Sequence, residues 1–123
     1  PCVLLSSGEV TTQIADNSII KGHGGPGQEM AVGFAIAARK APGACLLSID
    51  SEGTDGTTKV AGAITDSTSL HAAEASGINL YRALREHSTF EALEAIGSTV
   101  FTGNTGTNLC DLNILYVPKP EAH

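Results

Sequence analysis

Four stretches of the chain carry residues whose types and spacing could do chemistry. The densest is Gly22-His23-Gly24-Gly25-Pro26-Gly27, which runs straight into Gln28-Glu29-Met30-Ala31-Val32, the opening of a helix. Backbone N–H groups at a helix N-terminus, cleared of Cβ atoms by glycine, suit an anion such as phosphate or carboxylate. The stretch lacks the GK[ST] ending of a P-loop and the spacing of a dinucleotide fingerprint. A tight strand-to-helix crossover explains the same residues, and both readings stay open at this point. His23 is either a loop residue or a base. The second stretch, Asp50-Ser51-Glu52-Gly53-Thr54-Asp55-Gly56, follows an apolar run and carries three carboxylates. Such a cluster could hold Mg2+ with its waters, as phosphoryl transfer requires, or be a solvated acidic turn. Asp50 and Asp55 are its catalytic candidates, Asp55 is the candidate metal ligand, and Lys59 is the nearest cation. The third, Thr102-Gly103-Asn104-Thr105-Gly106-Thr107-Asn108, offers hydroxyls, amides and bare backbone to a phosphate or hydroxylated ligand, or closes an ordinary turn. The fourth, Ser6-Ser7-Gly8-Glu9, says little by itself.

Other chemistries are poorly served. There is no GxSxG, no cysteine adjoins a histidine, and His23, His71 and His87 share no metal-ligand spacing. His71 and His87 are expected on helix surfaces. Seven basic against thirteen acidic side chains give a net charge of −6 with no basic stripe, which argues against nucleic acid and anionic membranes as partners. The longest apolar stretch, 30–38, falls far short of the ~20 residues that span a bilayer, and Pro1–Leu5 does not read as a signal peptide. Cys2, Cys45 and Cys110 are odd in number and form no CxxC pair. They read as reduced, mostly buried thiols of a cytoplasmic protein. A chain that opens on Pro1 and has its only methionine at Met30 is expected to be a fragment or a trimmed piece.

The 123 residues fit one domain, taken as 1–117 with a loose tail, 118–123. With 41 % apolar residues but 4 % aromatic ones, its core must be Ala, Leu, Ile and Val. Apolar runs at 2–6 and 44–49 read as buried strands, 10–14 and 18–21 as two further strands or a bent hairpin, and 60–64 as ambiguous. A helix runs from Gln28 to Arg39-Lys40 and stops at Pro42-Gly43. Helices are also expected over 71–76, closed by Gly77, and from the cap Asn79 through Arg85. The capping box Ser88-Thr89-Phe90-Glu91 starts another that ends at Gly97. Strands over 99–102 and 112–117 complete the pattern. Apolar strands alternating with helices predict an α/β domain, a mixed β-sheet flanked by helices on both faces, part of it antiparallel.

The order of the four loops is more telling than any one of them. Ser-Ser-Gly-Glu-Val-Thr-Thr (6–12), Gly-His-Gly-Gly-Pro-Gly-Gln-Glu-Met-Ala (22–31), Gly-Thr-Asp-Gly (53–56) with Ala61-Gly62-Ala63, and Thr-Gly-Asn-Thr-Gly-Thr-Asn-Leu-Cys-Asp-Leu (102–112) together resemble the MOFRL domain. That is the C-terminal domain of the glycerate 2-kinase family, also labelled hydroxypyruvate reductase. The resemblance runs from Leu4 to Val117. It implies ATP- and Mg2+-dependent phosphorylation of glycerate in a cleft shared with a larger N-terminal domain. Substrate and phosphate contacts would fall at Gly22–Gly25, Gly27, Gln28 and Glu29, and at Thr102, Gly103 and Thr105–Asn108. The partners it implies are a small hydroxy acid, a nucleotide, and either an N-terminal kinase domain or a second copy of the chain. Two departures bear on activity. The family's glycine loop reads GGRNQE, and Pro26 stands where its arginine is expected. The family's TDGxDGPTDAAGA is shortened to Thr54–Ala63, with Lys59 where an Asp is expected. Losing a positioned charge costs orders of magnitude in rate, so the rival expectation is a non-catalytic module that binds a small anionic ligand or a protein.

Overall fold

The computed structural model describes residues 1–9, 11–14 and 16–120. Five strands, β1 (Cys2–Gly8), β2 (Cys45–Asp50), β3 (Gly62–Asp66), β4 (Thr99–Val100) and β5 (Asp111–Val117), form one sheet in the order β1-β5-β2-β3-β4. The helices are α1 (Pro26–Ala37), α2 (Ser69–Ala75), α3 (Leu80–Arg85) and α4 (Thr89–Ala95). The expected α/β class holds, but each of the four strand pairings is antiparallel, so the sheet is not mixed. No strand here is followed by a crossover to a parallel neighbour, because β2 turns directly into β3 and β5 returns between β1 and β2.

Register and burial fix which side of the sheet faces the helices. Leu46 pairs with Thr65 and Ser48 with Ala63, all four are buried, and the Thr65 hydroxyl donates to the Ala31 carbonyl of α1 at 2.7 Å. On this side α1 lies across β2 and β3, and α2, α3 and α4 pack around α1. Small residues make the close approach possible. Ala31, Val32 and Ala35 of α1 meet Ala63, Leu70, Ala73, Leu80, Ala83 and Leu93 in one apolar cluster, as the scarcity of aromatics requires. Helices were expected on both faces, yet the opposite face is uncovered: Ile64 on β3 is 45 % exposed and Leu5 on β1 69 %. β1, expected to be buried, is exposed along its whole length.

Other elements also differ from expectation. Residues 11–14 have no regular structure, 17–19 form a 3-10 turn, and Ser18–Lys21 is not a strand. Val10, the start of one expected strand, lies outside the described residues, as does 121–123 of the expected tail. Of the ambiguous run 60–64, residues 62–64 open β3 and 60–61 precede it, and the strand at 99–102 shrinks to Thr99–Val100. Asn79 caps α3 as expected, its side chain accepting the Arg82 N–H at 2.9 Å. The capping box at Ser88 does not form: Ser88 makes no side-chain cap bond, and Glu91 turns to His23 instead. The cysteines are free, but Cys2 and Cys110 are exposed rather than buried. Among the described residues no helix is long and apolar enough to cross a membrane.

Candidate functional site

The loops singled out in the sequence gather at one end of the sheet. Asp50 at the end of β2 and Gly8 at the end of β1 both pair with Asp111, the first residue of β5. The loops that follow or precede these residues therefore start side by side. Backbone bonds tie them together, with Ser51 N–H donating to the Cys110 carbonyl at 3.0 Å and Thr105 N–H to the Glu52 carbonyl at 3.3 Å. Ser51 is the hinge of this junction. Its hydroxyl accepts the Leu109 N–H at 2.6 Å, and its carbonyl accepts the Thr105 hydroxyl. Sequence reasoning missed Ser51, because a serine in a polar loop has no signal until its partners, more than fifty residues away, are known.

At the start of α1 the N–H groups expected to face a bound anion donate instead to a carboxyl of the protein itself. The Asp55 carboxylate accepts the N–H of Gly27 at 3.0 Å and of Gln28 at 2.8 Å, and the Gln28 side-chain amide at 3.0 Å. Asp55 is buried, and burial pushes its carboxyl above the ordinary range, helped by the nearby negative charge of Asp111. The Gln28 and Gly27 donors pull the other way. Pro26 occupies the first turn of this helix, where a missing N–H costs nothing and a fixed φ favours helix entry. The residue that stands in place of the family's arginine is thus a helix starter. Gly25 is required by proximity: a Cβ there would meet the Asp55 backbone carbon and carboxyl at 2.6 Å. Gly56 is required by conformation, with φ +59° against the Gly24 backbone.

The remaining glycine-loop residues are held from the side by α4 and the turn before it. The His23 N–H and ring Nδ1 both meet the Glu91 carboxylate, at 3.0 and 2.6 Å. Burial works to raise the Glu91 carboxyl, but the bonds from His23 outweigh it and hold it below its usual value. Glu29 pairs with Nδ1 of His87 at 2.6 Å and accepts the Thr12 hydroxyl at 3.0 Å. His87 is therefore not on a helix surface but half-buried in the turn between α3 and α4, at φ +52°. His71 is exposed, as expected. Gly22 and Gly24 abut Glu91 and Thr89 of the same helix.

Two clefts open beside these loops. One, of about 360 Å3, is lined by Glu9, Pro26, Asp50, Glu52, Asp55 and Asn108 among others. The other, of about 420 Å3, is lined by Glu52, Thr54, Asn104, Gly106, Thr107 and Asn108. The acidic loop and the Thr/Asn loop thus share a cleft, with Glu52 and Asn108 common to both. Asp50 is engaged locally, accepting the Glu52 N–H at 2.8 Å. Lys59 is exposed and lines neither cleft, and Thr102, Gly103 and Thr105 lie just outside them. Among the described residues no group of three or more His, Cys, Asp and Glu side chains is placed to hold a metal ion. What the clefts offer is a wall of carboxylates, amides and hydroxyls able to accept from or donate to a small polyhydroxy ligand.

Known proteins share this sequence and fold. The chain is 40 % identical over 119 residues to the glycerate 2-kinase of Pyrococcus horikoshii, and 33 % identical over 117 residues to a putative hydroxypyruvate reductase of Agrobacterium vitis. The crystal structure of glycerate kinase from Thermotoga maritima superposes with a TM-score of 0.89 at 35 % identity, over 96 % of this chain and 28 % of that one. The chain spans about a quarter of the length of such curated relatives, 26 % for the Pyrococcus protein. The model of the MOFRL family matches residues 2–111, which takes in all of the loops that form the clefts, and the chain belongs to the MOFRL family.

Proposed function

We propose that this chain is a domain of a glycerate 2-kinase-type phosphotransferase and forms one wall of the glycerate site. The observation that carries this reading is the convergence of the 50–56 and 102–110 loops on shared clefts, in a fold whose relatives are named glycerate kinases. Asn108, Thr107 and Glu52 are the contacts for the hydroxyl groups of the acid. The glycine loop acts as the frame for that wall: its helix N-terminus is filled by Asp55, so it fixes the acidic loop rather than binding phosphate. ATP and Mg2+ are the further reactants of this reading. Among the described residues no group of side chains fits a complete Mg2+ site, and the clefts are lined by no Lys or Arg. A further domain therefore completes the site and supplies positive charge. Three free cysteines suit the reducing cytoplasm.

The test is a chimera of the Thermotoga maritima enzyme in which this chain replaces the segment it matches. Glycerate-dependent ADP release is expected, falling by about 1.4 kcal/mol or more in transition-state stabilisation, tenfold in kcat/KM, on Asn108→Ala. A folded chimera that turns over no glycerate would overturn the proposal. Filling of the helix N-terminus by Asp55, with proline at the arginine position, favours the second reading, a binding module without catalysis. That outcome predicts glycerate binding to the chimera without ADP release.

A further inference from the structure

We infer that the helix-free face of the sheet, together with the exposed edge strand β1, is the docking surface for the second domain that completes the site. This rests on the reading above. By register, Val3 and Leu5 of β1, Ile114 of β5, Leu47 and Ile49 of β2 and Ile64 of β3 point to the same side of the sheet. They form a continuous aliphatic stripe across four strands, and α1 packs on the other side. Val3, Leu5 and Ile64 are 55 %, 69 % and 45 % exposed. A contiguous apolar patch of this kind marks an interaction surface; an antiparallel sheet can leave one face to water, but that face is then polar by alternation, which this stripe is not.

Three observations choose the occupant. Relatives sharing this fold carry roughly three quarters of their length outside it, and a tethered domain meets the face at a high effective concentration. Leu4, on the helix side of β1, is also 57 % exposed, since among the strands α1 packs chiefly on β2 and β3. The occupant must therefore wrap around β1 and touch both sides of it, which a second copy laid flat on the bare face would not do. Finally, the stripe runs to the cleft end of the sheet: Ile49 pairs with Leu112, and the next rung, Asp50 with Asp111, lies on the helix side of that end and lines the cleft, within reach of a domain that wraps round the sheet there. A domain seated on the stripe brings its own side chains to an acidic cleft lined by no Lys or Arg. The partner surface is thus aliphatic at its centre and basic where it overhangs the cleft.

The chimera described above, with the unmodified Thermotoga maritima enzyme as control, tests this by small-angle scattering and limited proteolysis at the junction. The chimera is expected to be as compact as the parent. Leu5→Lys or Ile114→Lys should release the domain, raising the radius of gyration and speeding cleavage at the junction at least about tenfold, equivalent to ~1.4 kcal/mol of docking. Glu74→Lys on α2 should change neither. Circular dichroism of the 123-residue chain carrying the same substitutions separates undocking from unfolding. Sedimentation of that chain alone tests a second copy as occupant. The inference is overturned if both folded lysine variants stay compact, if the folded chimera is never compact, or if the chain alone forms a tight dimer that Leu5→Lys splits. A compact chimera without turnover leaves the docking surface standing and removes the kinase reading. Turnover insensitive to both lysines does the reverse.

Discussion

Two glycine-bearing loops lie close together at the same end of the sheet, and they differ in where their polar groups go. The glycine loop before α1 is closed on itself. Its helix N–H groups meet Asp55, its His23 meets Glu91, and the adjoining Glu29 meets His87. The 102–110 loop is tied at Ser51 and Glu52, but Asn104 and Thr105–Asn108 remain exposed along its outer side. An anion site filled from within contributes to stability, and a loop with exposed hydroxyls and amides can bind. The sequence suggests the two loops are alike, and the structure satisfies the polar groups of the first from within while leaving those of the second exposed.

That contrast can be broken or sharpened by substitution. The largest effect is expected from Gly25→Leu, whose Cβ would meet the Asp55 backbone carbon at 2.6 Å. It should cost at least about 4 kcal/mol, read as loss of the cooperative thermal transition. A normal melt would show that the glycine loop is not the rigid frame described here. Next, Asp55→Ala should cost about 3 kcal/mol in urea unfolding, since three N–H donors at a buried helix start lose their acceptor. A cost under about 1 kcal/mol would mean that water replaces the carboxylate and that the site is open after all.

Asp55→Asn sharpens the point through pH. Burial raises the folded-state pKa of Asp55 above its unfolded value of 3.8, so the folded protein holds this proton more tightly than the unfolded chain does. Wild-type stability from this group is fully present below 3.8 and is lost as pH rises through the raised folded value. Unfolding curves between pH 4 and neutrality (about 7) should therefore show the wild type gaining on Asp55→Asn as pH falls. A difference that shrinks on acidification would reverse the assignment of burial as the dominant effect.

Thr107→Val, in the open loop, should cost less than about 1 kcal/mol in the isolated chain. In the chimera it should lower kcat/KM for glycerate about tenfold, equivalent to ~1.4 kcal/mol. Equal effects on stability and turnover would erase the distinction between the loops. The smallest change is expected from His23→Ala. His23 and Glu91 form an exposed pair worth about 0.5 kcal/mol at low salt, less at high salt. The Glu91 carboxyl is held below 4.5, so this contribution is present above 4.5 and lost as pH falls below it, which melts in acid will register.

Much of the fold was readable along the chain because its signals are local. Asn79 caps α3, Gly77 with its φ of +75° follows α2, and Pro26 and the acid Glu29 mark the start of α1. The loop order was equally legible, and it carried the family. Non-local choices were not. The capping box at Ser88 follows a correct local rule, but Glu91 forms stronger contacts with His23, 68 residues away. The apolar run of β1 reads as buried because hydropathy reports a preference and not the presence of a neighbour. It is exposed because, among the described residues, no helix packs on it.

By itself, then, the sequence determined the α/β class, the helix starts and stops, and the set of loops that could meet a ligand, since each depends on residues a few positions apart. Only the tertiary structure decided that Asp55 fills the anion site, that Ser51 joins the two cleft loops, and that one face of the sheet stays bare. Those outcomes depend on which distant groups compete for the same donor or the same surface, and that competition is settled only when the strands are in register.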